Sequence, residues 1–191
     1  MAVELKRHEA SINSDQVLPK LLMIDWEQGH APRAFQRRRE AMGLSTVPVG
    51  ALSLLATLAV KDGVGLGGLP AAQQTLALAL VWSGLPADGV LAEGQVNDLL
   101  KAQLAGAAAF LDIDHVELRR WLVDAGWLTR DGYGREYRRV GLDALSAGQR
   151  EFADALAAIE PAAWVADVRA AHRARRQARR ARWQAGSGTA A

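Results

Sequence analysis

The sequence predicts a mainly α fold with one small β-hairpin: a winged helix-turn-helix-like domain with an N-terminal helical extension and a C-terminal helix. Three observations carry that expectation. Residues 114–140, DHVELRRWLVDAGWLTRDGYGREYRRV, read as a capped helix running straight into a two-stranded hairpin. Upstream, two helical stretches at 71–83 and 93–104 flank a brief apolar pair at 90–91. The order is therefore helix, short strand, helix, helix, strand, strand, which is that of a winged helix. Half of the 191 residues are hydrophobic, enough to bury a sizeable core.

Residues 1–45 form the expected N-terminal extension. Within it VLPKLLMIDW, at 17–26, suits a short helix or an extended segment packed on the main body, and GHAP at 29–32 suits a turn. RAFQRRRE, at 33–40, is a basic helical turn or two; a solvated face is its simplest reading and phosphate contact the rival.

The main domain is expected over 46–140. Residues 50–60 favour helix, because Ala and Leu outnumber β-branched side chains. The loop 61–69 contains Gly63-x-Gly65-x-x-Gly68, formally a dinucleotide fingerprint. That fingerprint needs a strand before it and a helix opening at its second glycine. Here the helix is expected to open at Pro70, and neither a βαβ repeat nor a G-K-[S/T] follows, so nucleotide binding is set aside. The helix 71–83 ends at Gly84 and Pro86, and the helix 93–104 buries Val96, Leu99, Leu100 and Leu104. A small-residue connection, 106–110, leads to Asp112.

In the 114–140 unit Asp114 is the N-cap, and Glu117 is placed to reach back to the cap N–H. Val116, Leu118, Trp121, Leu122 and Ala125 supply the apolar face, and Gly126 stops the helix. Strands are expected at 127–130 and 136–140 around the turn Asp131-Gly132-Tyr133-Gly134. The C-terminal segment, 141–185, begins with a linker at 141–148. An amphipathic helix follows at 149–159, with Phe152, Leu156 and Ile159 on one side. Pro161 breaks or restarts it. The continuation, 162–184, carries Trp164, Val165 and Val168 and ends in Arg and Ala, before a disordered tail at 186–191.

Composition excludes several classes. The chain has no Cys, hence no disulfide, thiol nucleophile or cysteine-ligated zinc, which fits a reducing cytoplasm. The apolar runs at 47–60 and 76–85 fall short of the ~20 residues of a membrane span, so no membrane is implied. The net charge is only +2, but seven Arg and no acid lie between 169 and 182. Removing those seven leaves −5 on the other 177 residues, so the basic character is local.

Glu93-x-x-Val96-Asn97 comes first, then Asp114-His115-x-x-Leu118-Arg119-Arg120-x-Leu122-Val123-Asp124-x-Gly126-x-Leu128-x-Arg130, and last Gly134-x-Glu136-Tyr137-x-Arg139. This pattern resembles the bacterial family catalogued as domain of unknown function 2087, over about residues 71–140. The family also occurs fused to helix-turn-helix modules in transcriptional regulators, so the resemblance implies a role near transcription. It supplies no binding or catalytic residue to carry over. Two departures stand out: Ala92 where a Ser or Thr cap is usual, and the Gly-Ala-rich segment before Asp112.

Charge shapes the site expectations. Glu117, Arg120 and Asp124 share the exposed face of the helix before the hairpin, and residues 71–140 sum to −2. A net acidic module lacks the electrostatic footprint of a phosphate binder. Arg119, Arg120, Arg130 and Arg139 are therefore expected chiefly to pair with Glu93, Asp112, Asp124 and Glu136, a brace of helix on hairpin to which Asp114 adds the cap. On the hairpin Arg135, Tyr137 and Arg139 alternate onto one side with Tyr133 at the turn, a basic aromatic tip able to lie along a groove, Tyr137 excepted as core. Asp112-x-Asp114-His115 offers only a partial metal shell, and His8, His30 and His172 add no ligand spacing, so no metal and no cofactor are expected. No nucleophile elbow or distinct carboxylate pair argues for an enzyme.

The tail is the strongest charged feature. Arg175, Arg176, Arg179, Arg180 and Arg182 lie on one helical segment that ends at Trp183. It suits nucleic acid, anionic lipid or the acidic body of a subunit, with a solvated basic helix as the plain alternative. The leading expectation is a non-enzymatic nucleic-acid-associated or transcription-regulatory protein. It would touch DNA or RNA through Arg120, Tyr133, Arg135 and the tail. The alternative is a protein-interaction or dimerisation module, a homodimer or a partner's docking unit, that binds no nucleic acid.

Overall fold

A seven-residue run, Leu76 to Trp82, is buried without a break inside one helix, and the rest of the fold wraps that helix. A helix apolar on all sides belongs at the centre of a domain. The computed structural model describes residues 49–187. The expectations for 1–45 (the segment 17–26, the turn 29–32 and the basic stretch 33–40) and for the last four residues lie outside the described residues.

Among the described residues six α-helices and three strands run in the order α1 (Val49–Ala59), α2 (Ala71–Ser83), β1 (Leu91–Ala92), α3 (Glu93–Ala105), α4 (His115–Asp124), β2 (Leu128–Arg130), β3 (Glu136–Arg139), α5 (Ala147–Ala157) and α6 (Pro161–Ser187). The fold is mainly α with a small antiparallel sheet, as the sequence predicts. The sheet order is β1-β3-β2: Leu91 sits opposite Tyr137, and Leu128 opposite Arg139. The central helix α2 packs on α1, α4 and α5. Around it gather Phe110, Leu118, Leu122, Trp127 and Leu128, each 1% exposed or less. Burying each contributes about 1.5–3 kcal/mol. No polar or charged residue is buried among the described residues.

Local chemistry sets the ends of α4. Oδ1 of Asp114 accepts from the N–H groups of Val116 and Glu117, both at 2.8 Å. At the other end Gly126 has φ +72°, a conformation that favours glycine. Its N–H donates to Val123 O at 3.0 Å and that of Trp127 to Leu122 O at 2.8 Å. This is a Schellman closure, and it turns the chain directly into β2.

Several expectations need correction. Pro70 is the N-cap of α2 and the helix opens one residue later, at Ala71. The Glu117 carboxylate accepts from Trp121 Nε1 at 3.4 Å instead of reaching back to the cap, because the indole lies one turn ahead on the same face. Ala125 is an exposed C-cap, outside the apolar face. The segment 141–148 is no free linker. It holds a 3-10 turn, Leu142–Ala144, buries Leu145, and caps α5 with Ser146 and Gln149 in a reciprocal box. Arg150 fastens it by donating to the carbonyls of Leu142, Asp143 and Leu145. The glycine-rich loop is also docked: Val64 N–H donates to Phe110 O and Asp112 N–H to Val64 O, both at 2.9 Å. Helix α6 continues through Ser187, into the stretch expected to be disordered.

Candidate nucleic-acid interface

Arg119 ties α4 to both of its neighbours. Its Nη1 lies 2.7 Å from Glu93 Oε1 and donates to Asn97 Oδ1 at 2.5 Å. Its guanidinium stands 5.3 Å from the centre of the Tyr137 ring. The side chain is 12% exposed, so these partners act in a partly desolvated setting where a planar fork is worth more than a surface charge. Asn97 stands in the quoted pattern but is not among the expected partners of Arg119, although it lies one helical turn beyond Glu93 and so shares its face.

Arg139 makes no acid pair; its guanidinium carbon sits over Trp82, 3.7 Å from the ring centroid, and Nη1 donates to Leu85 O at 2.8 Å. Burial lowers its pKa, against the opposing pull of Asp88. The reason is positional: Arg139 shares the inward side of β3 with Tyr137, 3% exposed, and meets an aromatic floor there. The expected row of Arg135, Tyr137 and Arg139 therefore faces the core over most of its length. Glu136 lies on the other side of β3 and its nearest cation is Arg138, at 4.0 Å. Among the described residues Arg120, Arg130, Asp112 and Asp124 are exposed and form no ion pair.

At the hairpin tip the outward groups survive. Tyr133 is 86% exposed, with the Arg135 guanidinium 5.7 Å from its ring centre. Asp131 holds the turn: its Oδ1 accepts from Arg135 N at 2.7 Å and Glu136 N at 3.0 Å, and Gly134 takes φ +69°. The bond from Glu136 N–H, more than any other contact, holds the Asp131 carboxyl below the usual carboxylate range. Asp114 is lowered in the same way, first by the Glu117 N–H of its cap. Among the described residues no group of three His, Asp or Glu side chains stands close enough to hold a metal ion.

The largest concentration of charge lies on α6. Its first half is anchored: Val165 and Val168 are buried, and Arg169 pairs with Asp62 at 2.5 Å. An open groove of about 180 Å³ runs between α1 and α6, lined by Ser53, Thr57, Val60, Val168, His172 and Arg175. From Arg173 to Ala185 every residue is exposed, so Arg175, Arg176, Arg179, Arg180 and Arg182 all face solvent. At 3.6 residues per turn they form two rows, Arg173-Arg176-Arg180 and Arg175-Arg179-Arg182, roughly 120° apart. Arg173 belongs to the first row by its spacing, a membership that a plain charge count passes over. The remaining face is Ala174, Ala178, Ala181 and Ala185. Among the described residues no helix is long and apolar enough to cross a membrane.

Residues 70–139 match the family model described as an uncharacterized protein conserved in bacteria (DUF2087), the span from the N-cap of α2 to the last residue of β3. Helices α1, α5 and α6 lie outside that match. Neither the curated proteins nor the solved structures contain a match to the chain.

Proposed function

We propose that this is a non-enzymatic, nucleic-acid-associated protein with a regulatory role near transcription, in which α6 supplies most of the affinity. One observation carries the reading: six exposed arginines between 173 and 182, with no acid among them, gather on one half of a helix. Such a surface gains by releasing the counterions condensed on a phosphate backbone. The body contributes shape. Its helix, strand, helix, helix, strand, strand order and its β1-β3-β2 sheet suit a winged-helix arrangement, with Tyr133 and Arg135 at the tip of the wing. Helix α4 contributes little to phosphate binding, because Glu117 and Asp124 flank Arg120 on its outer face. That mixed face favours a second reading, a docking or dimerisation surface that binds no nucleic acid. A chain without Cys suits a reducing cytoplasm under either reading.

Fluorescence anisotropy of labelled random DNA and RNA, titrated with the full chain at two salt concentrations, separates the two. Under the leading reading affinity falls steeply with salt, with a log–log slope of about −3.5 on single strands to about −4.5 on duplex for some five phosphate contacts. Absence of binding at low salt, together with a dimer or a copurifying protein, favours the second.

A further inference from the structure

We propose, resting on the nucleic-acid reading of α6, that its ligand is single-stranded, with a base stacked on Trp183 between the two arginine rows. On the helical wheel Trp183 falls near the midline of the arrangement: Arg180 and Arg176 lie on one side, Arg179 and Arg182 on the other. Trp183 is 77% exposed as a residue. A duplex closes the π-faces of its bases against each other, and an indole approaching it meets only base edges or sugar. A single strand offers an open face to every aromatic it passes, while its phosphates follow the flanking cations. Trp183 is thus placed for a single strand and gains little from a duplex.

A second, independent observation points the same way. The two large aromatics most exposed among the described residues are Tyr133 and Trp183, and each stands among arginines. Exposed aromatics interleaved with guanidinium groups make the stacking platforms by which proteins hold unpaired bases. An anionic lipid surface fits less well. A membrane-lying helix buries large apolar side chains on the face away from its charges, and here that face is alanine.

The test uses the full chain with three ligands of equal phosphate number: a thymidine 12-mer, the same strand with abasic sites, and a duplex. A phosphatidylserine vesicle serves as a fourth. The thymidine strand is expected to bind roughly tenfold more tightly than the abasic strand. Trp183→Ala removes that difference, Trp183→Phe keeps most of it, and Trp183 fluorescence (read as wild type minus the Phe variant) is quenched on binding. Equal affinity for thymidine and abasic strands, or a duplex preference untouched by Trp183→Ala, overturns the single-strand assignment and leaves the nucleic-acid reading standing. If the base-dependent term follows Tyr133→Ala instead, α6 is not the stacking platform and the assignment falls. Binding to vesicles with no binding to any oligonucleotide at low salt overturns both.

Discussion

The two halves of α6 obey different rules although they belong to one helix. Its first half keeps Val165 and Val168 at 1% and 4% exposure against the core, and Arg169 is tied to Asp62. In its second half, from Arg173 to Ala185, every residue is exposed, and the sequence is almost entirely Arg, Ala and Gln. Tertiary burial holds the first half; helix propensity, highest for alanine and high for arginine and glutamine, sustains the second. The contrast extends to the whole protein. Residues 51–168 concentrate buried apolar area, whereas 173–185 concentrate charge. Stability and ligand affinity should therefore respond to different substitutions.

The largest effect on stability is expected in the body. Trp127 is 1% exposed and packs on Trp82 with ring centres 5.5 Å apart. Trp127→Ala should cost about 3–5 kcal/mol in urea unfolding. Nucleic-acid affinity per folded molecule should not change; if it falls in parallel, the separation of body and arm is wrong. Arg119→Ala comes next. It removes the contacts to Glu93 and Asn97 and the stack on Tyr137, at a cost of about 1.5–3 kcal/mol. Arg119→Lys should restore only part of this, because an ammonium cannot reproduce the planar fork. Equal stability of the two variants would show that charge alone matters there.

The smallest effect is at the cap of α4. Backbone N–H groups of the cap, that of Glu117 first, hold its carboxyl below the usual carboxylate value, so the folded form gains stability above that usual value and loses it as pH falls through the lowered one. Asp114→Asn should keep most of the cap at neutral pH and flatten part of the acid-side loss in a thermal melt. The remainder is expected from Asp131, which shifts in the same direction. An unchanged acid limb would mean that the cap does not couple to unfolding.

Much of the body was legible because its signals are local. The Asp114 cap, the Gly126 stop and the Asp131-to-Gly134 turn each depend on residues within a few positions of one another, and each lies where the pattern puts it. The partners of Arg139 were not legible. They come from Trp82 and Leu85, which only the packing of β3 onto α2 brings close, and counting charges favours an acid over a ring. The supposed linker misled for a related reason: Gly141 and Ser146 read as loop, but Leu145 is drawn into a core that the sequence does not reveal. For the candidate interface, the arginines were visible as composition. Their sorting into two rows around Trp183 follows from the helix expected over 162–184, which the structure shows running unbroken from Pro161 to Ser187.

One paired measurement tests the central claim most directly. The variant with Arg175, Arg176, Arg179, Arg180 and Arg182 all replaced by Gln is compared with the wild-type chain in oligonucleotide titration and thermal melting. The division between body and arm predicts on the order of a hundredfold weaker binding at low salt and a flatter salt dependence. Stability should hold within about 0.5 kcal/mol, since these side chains are exposed. Unchanged affinity and salt slope in the variant, with the wild type binding, would contradict it and move the binding surface to the body.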